Sequence, residues 1–327
     1  MIRLVTADLF KFLKRWLPYI LLLLLCLYMI NFIQNDYSHA KHILEYGAGL
    51  SYSDYAAALE QTDPDEEYVT ISSSGAGFSG KRSIAKWVFE AVVLPDYIYR
   101  MFENLQNNYL YLCLPFVILA ASFIGTEYKW GTLRQTLARG IGRNAYFGSK
   151  YVTLAVLAWL FVCGVTFYFL IAGMVTTCLI SGGMSWDFIS TDTAKYLLSS
   201  MGLITLILLA FATFTALFST IFKSTVVGMI AGVIYLQMEN RVIVRAITDS
   251  GIRFGEAANP PEWLAYTITY NAQYLLGYIT PDSTIYGEYL NYTITDTTQS
   301  ILTLLAFCAV FILISYFIFR KQELAME

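Results

Sequence analysis

The sequence predicts an all-α polytopic membrane protein with six transmembrane helices, and three observations lead there. Hydrophobic residues make up 57% of the 327 and charged ones only 14%, with the apolar residues gathered into runs long enough to cross about 30 Å of hydrocarbon. Lys and Arg concentrate in a few short segments between those runs, as they do in loops kept on the cytoplasmic side. One such segment, Glu127–Lys150, carries five cations (Lys129, Arg134, Arg139, Arg143 and Lys150) against the single acid Glu127. The net charge of −3 averages two faces of opposite sign. It therefore points to no nucleic-acid partner.

Residues 1–15 read as an N-terminal interfacial helix. Ile2, Val5, Leu9, Phe10, Phe12 and Leu13 fall mainly on one face, with Arg3, Asp8, Lys11 and Lys14 largely elsewhere, which suits a helix at the membrane surface near anionic headgroups. Residues 16–327 then form the six-span domain, with spans at Trp16–Ile33, Leu110–Gly125, Tyr151–Met174, Tyr196–Phe222, Ser224–Met238 and Ser300–Phe319. The first is a retained span and no signal peptide, because its apolar run is too long and no small-residue cleavage site follows it. The N-terminus, the 126–150 loop, Lys223 and the tail hold 12 of the 21 Lys and Arg residues, so both termini are expected in the cytoplasm. The outer segments are acidic: Asn35–Gln106 has 11 acids against 5 bases, and Glu239–Gln299 has 7 against 3.

The outer insertion 35–106 is too long for a turn. It reads as a small lid with a helix at Ser53–Glu60, an acidic turn at 63–67, a strand-like stretch at Tyr68–Ser72, a loop at Ser73–Gly80 and a surface helix carrying Ile84, Trp87, Val88, Ala91 and Val92. The fifth span covers only about 22 Å at 1.5 Å per residue before Glu239, Asn240 and Arg241 interrupt it. Region 239–299 is accordingly expected to hold outer helices, one of them Val242–Phe254 on the membrane surface, with a break at Asn259-Pro260-Pro261. Gly228 and Gly232 permit close helix contact, within the chain in preference to a dimer seam.

The chemistry the chain lacks narrows its function. No G-x-x-x-x-G-K-[ST] loop is present, so ATP binding on this chain is not expected. No catalytic constellation appears and no cofactor is expected. His39 and His42 with Glu45 lack a clear further ligand, and read as a solvated helix without metal. All five cysteines lie in or beside apolar runs as small packing residues. Asn291-Tyr292-Thr293 matches the glycosylation tripeptide, a weak signal. Ionisable residues are almost absent from the middle of the spans, which argues against an ion-coupled carrier and leaves the energy source outside the chain. The spans carry hydroxyls instead; Thr166, Tyr168, Thr205 and Thr213 are the candidates for a path taken by an amphipathic substrate, with backbone bonding as the plainer explanation.

The order Glu127, Gly131-Thr132-Leu133, Leu137, Arg143 and Lys150 resembles the E-x-x-x-G-T-[LI]-x-x-x-L-x-x-x-x-x-R-x-x-x-x-x-x-K loop of ABC-2 type transporter permeases, and the span layout is similar too. The resemblance implies a transmembrane subunit working with a separate ATPase, two copies of which bind ATP and Mg, beside a second permease, identical or homologous, in a bacterial plasma membrane. It implies a cytoplasmic coupling helix in the loop 126–150. Glu127, Tyr128, Gly131, Thr132, Leu133, Arg134, Leu137, Arg139 and Arg143 are then the residues that meet the ATPase. Gly131 permits a tight turn, Thr132 caps the helix, and Leu133, Thr136 and Leu137 give it an apolar stripe. Glu127 is expected to pair with a partner's cation or cap the helix's positive end, and Glu127→Ala to leave folding intact.

The expected function is thus an exporter permease for an amphipathic, peptide or lipid-like substrate. The alternatives are a membrane-anchored immunity, sensor or assembly protein that moves nothing and, less favoured, a membrane-embedded enzyme.

Overall fold

In the computed structural model, the residues described are 2–46, 68–73, 76–81, 92–94, 97–98, 109–129, 132–183, 190–249, 261–279 and 297–322. The elements run in the order α1 (Ile2–Leu13), α2 (Trp16–Tyr46), β1 (Tyr68–Ser73), β2 (Ala76–Lys81), α3 (Tyr109–Lys129), α4 (Thr132–Ala138), α5 (Arg143–Ser181), α6 (Thr191–Phe222) and α7 (Thr225–Asp249). A 3-10 turn (Glu262–Tyr266), α8 (Ile268–Ile279) and α9 (Thr297–Lys321) complete the order. Among the described residues, five helices are long and apolar enough to cross a membrane: α2, α3, α5, α6 and α9. The chain is thereby a multi-pass helical membrane protein.

Two expectations need correction. The stretch expected as the loop Ser73–Gly80 supplies a second strand, paired antiparallel with the first from Tyr68 opposite Lys81 to Ser73 opposite Ala76. Its glycines and serines lower strand propensity, and ladder hydrogen bonds to β1 override that preference, so the described structure is not purely helical. The fifth apolar run does not turn at Glu239-Asn240-Arg241 into a separate surface helix. α7 continues unbroken to Asp249, because Glu and Arg interrupt hydropathy without interrupting a helix. Only Thr225–Glu239 of it is apolar, which leaves it shorter than the other five. Finally, the helix expected at 53–60, the acidic turn 63–67, the sequon and most of the 84–92 helix lie outside the described residues; Val92 itself is buried in a turn.

The chain divides into two compact units. The first comprises residues 1–25, 105–164 and 198–327. Here α7 packs along α3 and α6, and small residues make the approach possible: a Cβ at Gly125 would strike the backbone of Thr225, one at Gly228 would strike Ser219, and one at Gly232 would strike Thr215 and Val117. The glycine pair of α7 therefore serves packing within the chain. Phe116, Phe211, Leu154, Ile204 and Ile207 are fully buried in this unit. Lys223 turns the chain between α6 and α7 at a φ of 52°.

The second unit comprises residues 26–104 and 165–197. A turn at 92–94 is fastened to α5: the Leu94 N–H donates to Thr177 Oγ1 at 3.0 Å, and Thr176 Oγ1 donates to the Val92 carbonyl at 2.8 Å. Gly173 leaves room for the ring of Tyr97. All five cysteines are free.

Candidate functional site: the corner of α3, α4 and α5

The candidate coupling segment folds as a short helix between two long ones. α4 stops where Gly140 takes a φ of 84°, and its N–H donates to the Leu137 carbonyl at 3.0 Å; glycine adopts this left-handed conformation without the steric cost other residues carry. The two leucines of α4 are four residues apart and therefore share a face. Leu133 is buried with Tyr146, Phe147 and Phe319, and Leu137 packs against the same cluster beside Tyr128 and Ile141. Gln135, Ala138 and Arg139 are exposed, as are Gly142 and Arg143 where α5 begins.

Beneath α4 lies a buried ionic root. Lys150 Nζ is 2.8 Å from Asp8 Oδ1 and 3.2 Å from Glu127 Oε1, with all three side chains less than a tenth exposed. The other carboxylate oxygen of Glu127 accepts from Thr132 Oγ1 at 2.7 Å and from the Tyr146 hydroxyl at 3.1 Å. Lys150 also lies 5.2 Å from the Phe123 ring centroid and 4.9 Å from that of Tyr146, close enough for cation–π attraction. Phe123 in turn meets Phe12 edge-on at 5.7 Å. Arg15 closes the site by donating to Thr126 Oγ1 at 2.8 Å. Burial pulls its guanidinium below the ordinary arginine value while the Glu127 charge opposes that, and it stays cationic at any physiological pH. With two acids and two bases the site is formally neutral, the condition under which buried charge is tolerated.

This geometry changes several assignments. Glu127 finds its cation in its own chain and is not available to a partner's. Its acceptor role is filled at Thr132, the first residue of α4, whose hydroxyl donates to Glu127. Leu133 faces the protein's own core. Against the expectation that Glu127→Ala leaves folding intact, the substitution would strip Lys150 of one counter-charge and leave two hydroxyls without their acceptor. Gly131 and the side chain of Arg134 lie outside the described residues.

Sequence reasoning missed Asp8 and Lys150 as partners. Asp8 was placed off the apolar face of α1, yet it is buried together with Phe12. A signal existed: Val5, Asp8, Leu9 and Phe12 stand at i, i+3, i+4 and i+7, so the acid interrupts an apolar stripe. Lys150 closes the loop pattern that Glu127 opens, yet nothing near it in the chain names Asp8 as its partner.

Of the hydroxyls considered for a substrate path, two bond within their own helix and one reaches another helix. Thr205 and Thr213 donate to the carbonyls of Met201 and Ala210 at 2.7 and 3.0 Å in the first unit. In the second, Tyr168 donates to the Cys26 carbonyl at 3.0 Å, and Thr166 is buried.

No curated protein matches this chain. Residues 83–325 match the family described as Protein of unknown function (DUF2705), a stretch that takes in α3 to α9, Glu127 and Lys150 but not α1 with Asp8. Covering about three quarters of the sequence, the match places the chain in the DUF2705 family.

Proposed function

We propose that this protein is the transmembrane permease subunit of an ATP-driven ABC exporter, moving an amphipathic, peptide or lipid-like substrate with energy from a separate ATPase subunit. The observation that carries the reading is the two-sidedness of α4. One face is rooted by Leu133 and by the Glu127–Lys150 pair into two long apolar helices. The other presents Gln135 and Ala138 to solvent, with Arg139 exposed in the turn that follows and Arg143 exposed at the start of α5, where it also donates to the Arg320 carbonyl at 3.3 Å. An element that transmits nucleotide-driven motion needs both a rigid attachment to the spans and a free surface for the motor, since work passes only through contacts that differ between nucleotide states.

On this reading α1, α4 and both termini face the cytoplasm of a bacterial cell. Two ATPases carrying ATP and Mg dock on the α4 corners of two permeases, identical or homologous. The residues expected to meet the ATPase divide accordingly: Arg139 and Arg143 touch it, while Glu127, Tyr128, Thr132, Leu133 and Leu137 hold the helix that presents them.

The test is to co-express the protein with an ABC ATPase from the same genome, purify the two together and compare Arg139→Glu/Arg143→Glu with the parent. Reversing two exposed charges should leave the thermal transition within about 0.5 kcal/mol of wild type. Complex yield and ATP turnover should fall at least tenfold. Parental yield and turnover in the variant would overturn the assignment of α4 as the coupling element, and failure of any ATPase to co-purify would favour a membrane-anchored assembly or sensor protein.

A further inference from the structure

A second site lies beside the ionic root, where α1 meets α2. The chain bends at Lys14 and Arg15, with the Lys14 N–H donating to the Phe10 carbonyl and the Arg15 N–H to that of Phe12. The two arms of the bend, together with α3 and α5, enclose a groove of about 120 Å³. Phe12 and Leu13 line it from α1, Tyr19 and Leu22 from α2, Phe116 from α3 and Phe161 from α5. Among the described residues no charged side chain lines it, and the Tyr19 hydroxyl is the one side-chain polar group on its walls. Apolar cavities of this size do not hold water, which needs two to four polar partners, but accept hydrocarbon.

Two further observations decide what the hydrocarbon belongs to. The rim is open: Leu13, Tyr19 and Leu160 are about half exposed, so in a bilayer the groove is continuous with the acyl region. The apex of the bend is basic. With Arg15 held at Thr126 in the ionic site, residues 1–15 still carry Arg3, Lys11 and Lys14, and their single acid, Asp8, is paired with Lys150. Lys11 and Lys14 are exposed. Basic residues on an interfacial helix attract anionic headgroups, each worth about a fivefold gain in local binding. A groove for hydrocarbon under a basic elbow matches a molecule with an apolar chain and a negatively charged head.

We infer that the α1–α2 elbow is a binding site for one anionic phospholipid, its acyl chain in the groove and its phosphate over Lys11 and Lys14. The inference needs only a bilayer, and stands or falls separately from the export reading. Because Phe12 lines the groove and also meets Phe123 next to Lys150, a bound chain would brace the same face of α1 that supplies Asp8.

The full-length protein, reconstituted in vesicles of equal parts phosphatidylglycerol and phosphatidylcholine and released into mild detergent, is examined by native mass spectrometry. One phosphatidylglycerol per chain is expected to remain. A Cβ at Gly164 would meet nothing nearer than Leu22 Cδ2 at 4.0 Å, so Gly164→Phe fills the groove from its wall and should cut retention about tenfold. Should that variant lose its thermal transition, Leu160→Trp at the exposed rim decides instead, with the same expectation. Lys11→Gln/Lys14→Gln should keep a bound lipid but lose its preference for phosphatidylglycerol, about fivefold per cation removed. Wild-type retention in both groove-filling variants, equal retention of the two lipids by the parent, or a copurifying polypeptide in place of lipid would each overturn the proposal.

Discussion

Two glutamates of the first unit, Glu127 buried and Glu239 half-buried, each serve a short helix and are held in opposite ways. Glu127 sits at the end of α3, one turn before α4, and answers to a lysine and two hydroxyls. Glu239 sits on α7 beside the start of α8, where one oxygen accepts the Thr269 N–H at 3.2 Å and the other accepts Thr269 Oγ1 at 2.6 Å. Among the described residues no cation pairs with it. The helix terminus supplies the compensation, since the first N–H groups of α8 and its dipole favour negative charge there.

The helices differ to match. Ile268, Tyr270, Ala272, Leu275 and Leu276 of α8 are all buried, and α8 packs on α7 and α9, so its glutamate fixes a piece of core. α4 buries one face and offers the other. The lesson is that a charge pair is used where a helix must be anchored by one side only, and a dipole contact suffices where packing does most of the holding.

The largest effect expected from this comparison comes from Lys150. Lys150→Met leaves Asp8 and Glu127 buried without their common cation, which should cost about 3–5 kcal/mol in thermal or denaturant unfolding in detergent. Adding Asp8→Asn and Glu127→Gln to it should recover most of that loss. A single variant as stable as the parent would show that the root holds nothing.

Next, the isosteric change to glutamine should separate the two carboxylates. Glu127→Gln forfeits a charged contact and should cost about 2–3 kcal/mol. Glu239→Gln keeps one oxygen for the Thr269 N–H, offers an amide that donates to Thr269 Oγ1 in place of the second acceptor, and loses the charge at the helix end, about 1 kcal/mol. Equal losses, read from paired unfolding curves, would break the distinction.

The smallest expected change concerns the seam that carries both corners. A methyl group at Gly232 would run into Thr215 and Val117, so Gly232→Ala should destabilise by about 1–2 kcal/mol. The same substitution at Gly202, where a Cβ would meet nothing within 4 Å, should be neutral or slightly stabilising, as alanine is the better helix former.

Much of this was legible in the residues and some was not. The turn after α4 was open to reading at Gly140, and the α7 seam at Gly228 and Gly232, because the requirement is local and glycine alone meets it. The basic character of the exposed corner was equally visible. The inward turn of Leu133 was not, since an apolar stripe looks the same whether it faces a partner or its own core. The second strand was hidden because Gly77 and Gly80 weaken strand preference, and only pairing with β1 supplies the missing stabilisation.

By itself, the sequence determined that the protein is helical and polytopic, because hydropathy and charge distribution along the chain decide what water and lipid will tolerate at each point. It also determined that a short basic helix would stand between two long apolar ones, since caps and periodicity act within a few residues. Only the tertiary structure decided which acid answers which base. Asp8 and Lys150 are 142 positions apart, and nothing local to either names the other as its partner. It decided likewise that Glu239 would brace α8 and that the α1–α2 bend would close over a groove. Ion pairs and cavities exist only where distant segments meet, and their energies come from burial, a property no residue has until the chain is folded.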